Sequence, residues 1–141
     1  MTGFVLHEKL AADTISLGSS VLCELRLMND ATWPWVLLVP RRQDIREIYQ
    51  LAGADQIQLL RESSALGQGL MSVCGGDKLN VAALGNMVPQ LHLHHIVRFQ
   101  GDPAWPGPVW GKQAPEPYSE SGLAERLELL APVLEAVKAV G

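Results

Sequence analysis

The sequence predicts an α+β fold built round an antiparallel sheet, and three observations carry that expectation. Two alternating apolar segments, 21–28 and 35–39, are joined by a short turn, which imposes antiparallel pairing. A helical stretch at 44–70 separates this hairpin from a second pair of extended segments, 78–84 and 91–99. An amphipathic segment at 119–140 then closes the chain as a helix.

Taken in order, residues 4–13 carry apolar side chains at 4, 5, 6, 10 and 11, which suits an extended start followed by a short helix. Val21, Cys23, Leu25 and Leu27 alternate with Glu24 and Arg26, the pattern of a strand buried on one face. Asn29-Asp30-Ala31-Thr32-Trp33-Pro34 is the turn, and the run 35–39 is a strand stopped by Pro40. From Asp44, apolar residues at 45, 48, 49 and 52 and then 57 and 60 give a helical stripe, with Gly53 dividing the stretch into two helices. Arg46, Glu47, Arg61 and Glu62 form its solvated face. Gly75-Gly76-Asp77 is the exit turn, and Gly85-Asn86 the tight turn between the last two strands. Residues 101–111 are rich in proline, glycine and tryptophan and read as an ordered, irregular loop, with Trp105 and Trp110 packing on the sheet or on a partner. Ser119 or Ser121 caps the terminal helix, and Pro132 kinks or divides it.

At this length the chain supports one domain with a real core, expected over 1–141, with the core at 4–111 and a helical tail at 116–141. It is 48% hydrophobic and 18% charged, the balance of a globular protein. A net charge of −4 argues against a nucleic-acid partner, which a basic stripe usually marks. The start lacks the pattern of a signal peptide, and no apolar run is long enough to cross a bilayer, so neither export nor a membrane is expected. Cys23 and Cys74 have no metal-ligand spacing and read as buried thiols of a cytoplasmic protein. Gly67-Gln68-Gly69 and Gly75-Gly76 do not open a helix after a strand, which excludes a dinucleotide or P-loop phosphate cradle.

The chemistry concentrates at Gln90-Leu91-His92-Leu93-His94-His95-Ile96-Val97-Arg98, which holds three of the four histidines. Strand alternation puts Gln90, His92 and His94 on one face and Leu91, Leu93 and His95 on the other. Imidazole is a nucleophile at neutral pH, and a neighbouring imidazole stabilises a developing oxyanion, so the row suits chemistry at phosphorus. Two other readings stand on residues alone: a structural role, or a metal site that would need a third ligand from His7 or an acid.

The same stretch resembles the signature of the histidine triad (HIT) superfamily, three histidines alternating with apolar residues and followed by an arginine. Counting back from Arg98 puts His94 at the third position, His92 at the second and Gln90 at the first. Asn80, Gly85-Asn86-Met87-Val88-Pro89 and Trp35-Val36-Leu37-Leu38-Val39-Pro40-Arg41 are similar to further family segments, over roughly 21–98. The 102–111 tail resembles a bacterial branch with glutamine first, Gln-x-His-x-His. The resemblance implies a HIT-like α+β fold, an antiparallel sheet of about five strands with helices packed on it and a C-terminal helix, and a homodimer. It implies a hydrolase or nucleotidyl transferase acting at the α-phosphorus of a purine nucleotide or dinucleoside polyphosphate, with no metal and no cofactor. Carried over, His92 is the nucleophile, His94 a donor to phosphate oxygens, Gln90 the remaining catalytic position, and Asn29, Asn80 and Asn86 substrate contacts. Four positions depart from the pattern: Gln90 cannot titrate, Trp35 stands near the place where many members have a histidine, so a supporting imidazole is missing, Val97 replaces the usual proline, and His95 replaces an apolar residue. Gln90 leaves open the alternative of a nucleotide-binding homodimer with little turnover.

Overall fold

The computed structural model describes residues 3–141. Among these, a five-stranded antiparallel sheet carries helices on one face and a short helix with the 101–111 loop on the other. The elements are α1 (Glu8–Asp13), β1 (Thr14–Ser19), β2 (Cys23–Met28), β3 (Trp35–Pro40), α2 (Gly53–Cys74), β4 (Lys78–Ala82), β5 (Leu93–Arg98) and α3 (Glu120–Lys138). The strand order is β1-β2-β3-β5-β4, with every pair antiparallel.

The two central strands, β3 and β5, are buried along their whole length because protein covers both faces. On one side Leu25, Leu27, Val36 and Leu38 meet Leu66 and Leu70 of α2 and Leu130 and Val133 of α3. On the other, Trp35, Leu37 and Ile96 lie under Leu10 of α1 and Ala104 and Val109 of the loop. This second layer is where the histidines emerge. Residue 75 ends α2 in the left-handed region (φ 64°), which glycine alone enters at no steric cost. A side chain at Gly76 would sit 2.2 Å from Val97 Cγ1, so the exit turn packs directly on β5.

Local patterning alone yields four strands; in the fifth, β1, the exposed Ser16, Gly18 and Ser19 dilute the apolar signal of Ile15 and Leu17. Residues 44–52 are not α-helical. Asp44 adopts φ 58°, Ile48–Gln50 form a single 3-10 turn, and Ile45 uses its carbonyl to accept from Leu91 N at 2.9 Å. Ile48 and Tyr49, 41% and 79% exposed, never had a buried face to join. Gly53 therefore opens α2 instead of dividing a longer helix. The inward stripe of α2 runs through Leu59, Leu66 and Leu70, while Ile57 and Leu60 point outward. Glu62, expected on a solvated face, is fully buried: Ser20 Oγ, Leu22 N at 2.9 Å and Gln58 Nε2 at 2.8 Å all donate to its carboxylate. Ser119 caps α3, accepting from Gly122 N at 3.0 Å, and the helix runs unbroken through Pro132. Strand β5 begins at Leu93, two residues later than alternation suggests. No helix is long and apolar enough to cross a membrane among the described residues.

Candidate active site

His92 lies just ahead of β5 and His94 within it, their ring centroids 5.0 Å apart at 71°. Both are buried. Nδ1 of His92 is 2.7 Å from the Gln90 carbonyl. A carbonyl only accepts, so Nδ1 carries the proton and Nε2 keeps its lone pair. No hydrogen bond reaches that Nε2 among the described residues. His94 has the opposite arrangement. Trp35 donates its indole N–H to His94 Nδ1 at 3.0 Å, and an indole can only donate. The lone pair is therefore on Nδ1, and the proton of the neutral ring is on Nε2. One ring offers an unshared pair and its neighbour offers an N–H.

Burial lowers the pKa of both rings. For His92 the Gln90 carbonyl works against that shift, while nearby His7 adds to it. For His94 burial, then repulsion from His92 and His95, pushes the value down to about 3. Both rings are thus neutral near pH 7.

The pair opens into a cleft of about 440 Å³. Its walls are largely apolar: Leu10 from α1, Met28 from β2, Met87 and Val88 from the turn before β5, and Trp110. Trp110 meets both Trp35 and His94 edge to face, with centroids at 5.9 and 5.0 Å. The 101–111 loop thus packs on the sheet, as expected, and in doing so walls the site. Polar groups in the lining are Lys9 and Asp13, paired at 3.0 Å, and Asn86. None of the α1 contributions was visible in sequence, because a six-residue helix carries no chemical motif.

Of Gln90 and the three asparagines singled out, Asn86 alone lines the cleft. Gln90 turns aside: its Oε1 accepts from His7 N at 2.8 Å and its Nε2 donates to Val5 O at 2.9 Å. The row expected from strand alternation is therefore His92 and His94 alone. Asn29 Oδ1 accepts from Tyr118 N at 3.0 Å, tying the β2–β3 turn to the segment before α3. Asn80 Oδ1 accepts from Arg98 Nη1 at 2.9 Å. His95 is fully buried on the opposite face, where Nδ1 donates to Leu93 O at 3.2 Å and Nε2 is 2.7 Å from Ser63 Oγ. Burial lowers its pKa to about 4. Among the described residues no third histidine, cysteine or acid joins the pair in a group suited to a metal ion.

The family model described as HIT domain matches residues 9–101. No curated protein matches the chain. Three solved structures are similar over nearly the whole chain. A histidine triad protein from Marinobacter aquaeolei VT8 is 66% identical, with a TM-score of 0.93, covering 95% of this chain and 98% of that one. A histidine triad protein from Bradyrhizobium japonicum is 41% identical, with a TM-score of 0.90 and the same coverage of 95% and 98%. One from Sinorhizobium meliloti 1021 is 44% identical, with a TM-score of 0.89, covering 95% and 97%.

Proposed function

The chain belongs to the HIT domain family, and from that premise we propose that it is a nucleotide hydrolase or nucleotidyl transferase acting at an α-phosphorus through His92. Membership points to nucleotide binding or to hydrolase or transferase activity. The observation that carries the finer reading is the complementary protonation of the two rings, one free Nε2 beside one Nε2–H. Nε2 of His92 attacks phosphorus, forming an N–P bond as the bond to the leaving group breaks and its electron pair departs with that group. Water then adds to phosphorus, the N–P pair returns to Nε2, and the proton of the water passes to solvent. His94 Nε2–H and the Asn86 carboxamide suit the phosphoryl oxygens as negative charge grows. The apolar wall of Leu10, Met28 and Trp110 suits a purine, and Lys9 at the cleft suits the anionic remainder of a dinucleoside polyphosphate. Asn29, Asn80 and Gln90 support the site from outside it.

The test is covalent trapping. A substrate labelled at its α-phosphate, quenched during turnover, should leave label on His92, and His92→Asn should carry none while still binding nucleotide. Tight binding without label or turnover in the wild type would favour the alternative, a nucleotide-binding protein, for which the engagement of Gln90 by backbone is the favouring observation.

The proposal includes a homodimer. Among the described residues strand β4 pairs only with β5, leaving one edge open, and beside it lies an apolar hollow of about 620 Å³. Ile57, Leu60 and Val81, 56%, 67% and 48% exposed, line that hollow. Leu60→Glu should convert a dimer to a monomer in sedimentation velocity; an unchanged sedimentation coefficient for a dimeric protein would put the interface elsewhere.

A further inference from the structure

We infer that Trp35 is a positioning residue that restricts His94 to a single proton, on Nε2, and so bars it from acting as a proton donor to the leaving group. The inference deepens the proposed function and rests on its assignment of His92 as nucleophile. The geometry has little slack. Trp35 is 6% exposed, its indole N–H lies 3.0 Å from His94 Nδ1, and its ring is braced edge to face by Trp33 at 6.2 Å and by Trp110 at 5.9 Å. Placing a second proton on His94 would set N–H against N–H inside an aromatic box, so the ring stays neutral while the box stands. The titratable groups around it are His92 and His95 beside it in the chain and the Lys9–Asp13 pair in the cleft wall. Neither histidine favours a second proton, because each is itself buried and neutral.

The consequence concerns bond breaking. A ring with one proton supplies a hydrogen bond, but surrendering that proton would leave an imidazolate. When the bond to phosphorus breaks, the electron pair must therefore depart on an atom that tolerates it. A phosphate or pyrophosphate leaves as an anion without help. An amine must gain a proton, and neither His94 nor Gln90 has one to give. A tryptophan where an imidazole is expected is thus more than a missing histidine; it changes which leaving groups the site can expel.

The first test needs no variant. In ¹⁵N spectra of the ring nitrogens of the wild-type protein, His94 Nδ1 should keep the shift of an unprotonated nitrogen from about pH 8 down to about pH 4. A ring that titrates near an ordinary histidine value would overturn the inference. The second test compares leaving groups in Trp35→Phe, which keeps an aromatic ring and removes the N–H. At about pH 5, turnover of a nucleoside phosphoramidate relative to a dinucleoside polyphosphate should rise at least about tenfold, and the pH profile should gain an acidic limb. A uniform fall for all substrates with an unchanged profile would make Trp35 a packing residue only. If Trp35→Phe fails to fold, the wild-type spectra still decide. A locked His94 in a protein with no turnover would defeat the functional proposal and leave the lock standing; label on His92 with a titrating His94 would do the reverse.

Discussion

Two polar clusters share one face of β5, four residues apart, and they are built to opposite ends. Around Arg98 each guanidinium nitrogen is paired: the group donates to both carboxylate oxygens of Asp102, at 2.9 and 3.0 Å, and to Asn80 Oδ1 at 2.9 Å. Asp102 also accepts from the backbone N–H groups of Phe99, Ala104 and Trp105, which fixes the start of the 101–111 loop. Of the His92–His94 pair neither ring is charged near neutral pH, and each imidazole keeps one nitrogen toward the cleft. A charged cluster with every guanidinium nitrogen engaged holds a loop; a neutral pair of rings keeps two nitrogens in reserve at the cleft. The difference lies in satisfaction, not in residue polarity: the carboxamide oxygen of Asn80 is taken up by Arg98.

The comparison is broken most severely by His92→Asn, which should lower turnover at least about a thousandfold while shifting the melting temperature little. Steady-state kinetics beside calorimetry check both halves, and retained turnover would end the case for a histidine nucleophile. On the other side, Arg98→Met leaves Asp102 charged and alone in a buried setting. We expect it to cost about 3–5 kcal/mol of stability, read by denaturant unfolding, with turnover per folded molecule nearly unchanged.

Acid separates the clusters in one titration. His92, His94 and His95 have folded pKa values below the unfolded value of 6.5, so on acidification the unfolded chain takes protons first. Stability should therefore fall with decreasing pH from about 6.5, by about 1.4 kcal/mol per pH unit for each group that stays neutral, down to about 4 for His95 and about 3 for His94. Asp102 behaves otherwise. Burial works to raise its pKa, but the Arg98 guanidinium and the loop N–H groups prevail and hold it below the ordinary carboxylate range. Its contribution is present above the unfolded carboxylate value and disappears only below it. Replacing His95 by a neutral residue of similar size should flatten the upper part of the melting curve against pH; Asp102→Asn should lower stability at every pH above about 4 and change the slope of the curve only in its lowest part.

The smallest effects divide the asparagines. Asn80→Ala removes an acceptor from a buried guanidinium and should cost about 1.5–3 kcal/mol with KM unchanged. Asn86→Ala, in the cleft lining, should raise KM severalfold with little change in stability. A KM effect at Asn80 would move that residue back into the site.

Much of this was legible in the sequence, and what was not has physical causes. Alternation at 21–28, the proline-stopped run at 35–39 and the glycine exit turn locate the sheet, because burial on one or two faces writes itself into side-chain period. The helical stripe at 44–52 misleads because its backbone is committed elsewhere, with Ile45 hydrogen-bonded to the segment that leads into the histidines. Glu62 reads as surface because charge predicts exposure until three donors surround it. The histidines are legible as chemistry, yet their tautomers are not. Those depend on a backbone carbonyl two residues away and on an indole 59 positions earlier, contacts that only the folded sheet creates.

Gln90 has a second role, as a fastener. Its carboxamide offers a donor and an acceptor side by side, which is how it holds both Val5 O and His7 N. An imidazole carries its two nitrogens on different sides of a ring and cannot face both groups at once. The substitution Gln90→His would therefore release the N-terminal segment before it added any proton chemistry, and residues 5–7 would have to change with it. The glutamine thus works as a staple: the arm ahead of α1 and the segment leading into β5 are held by one side chain.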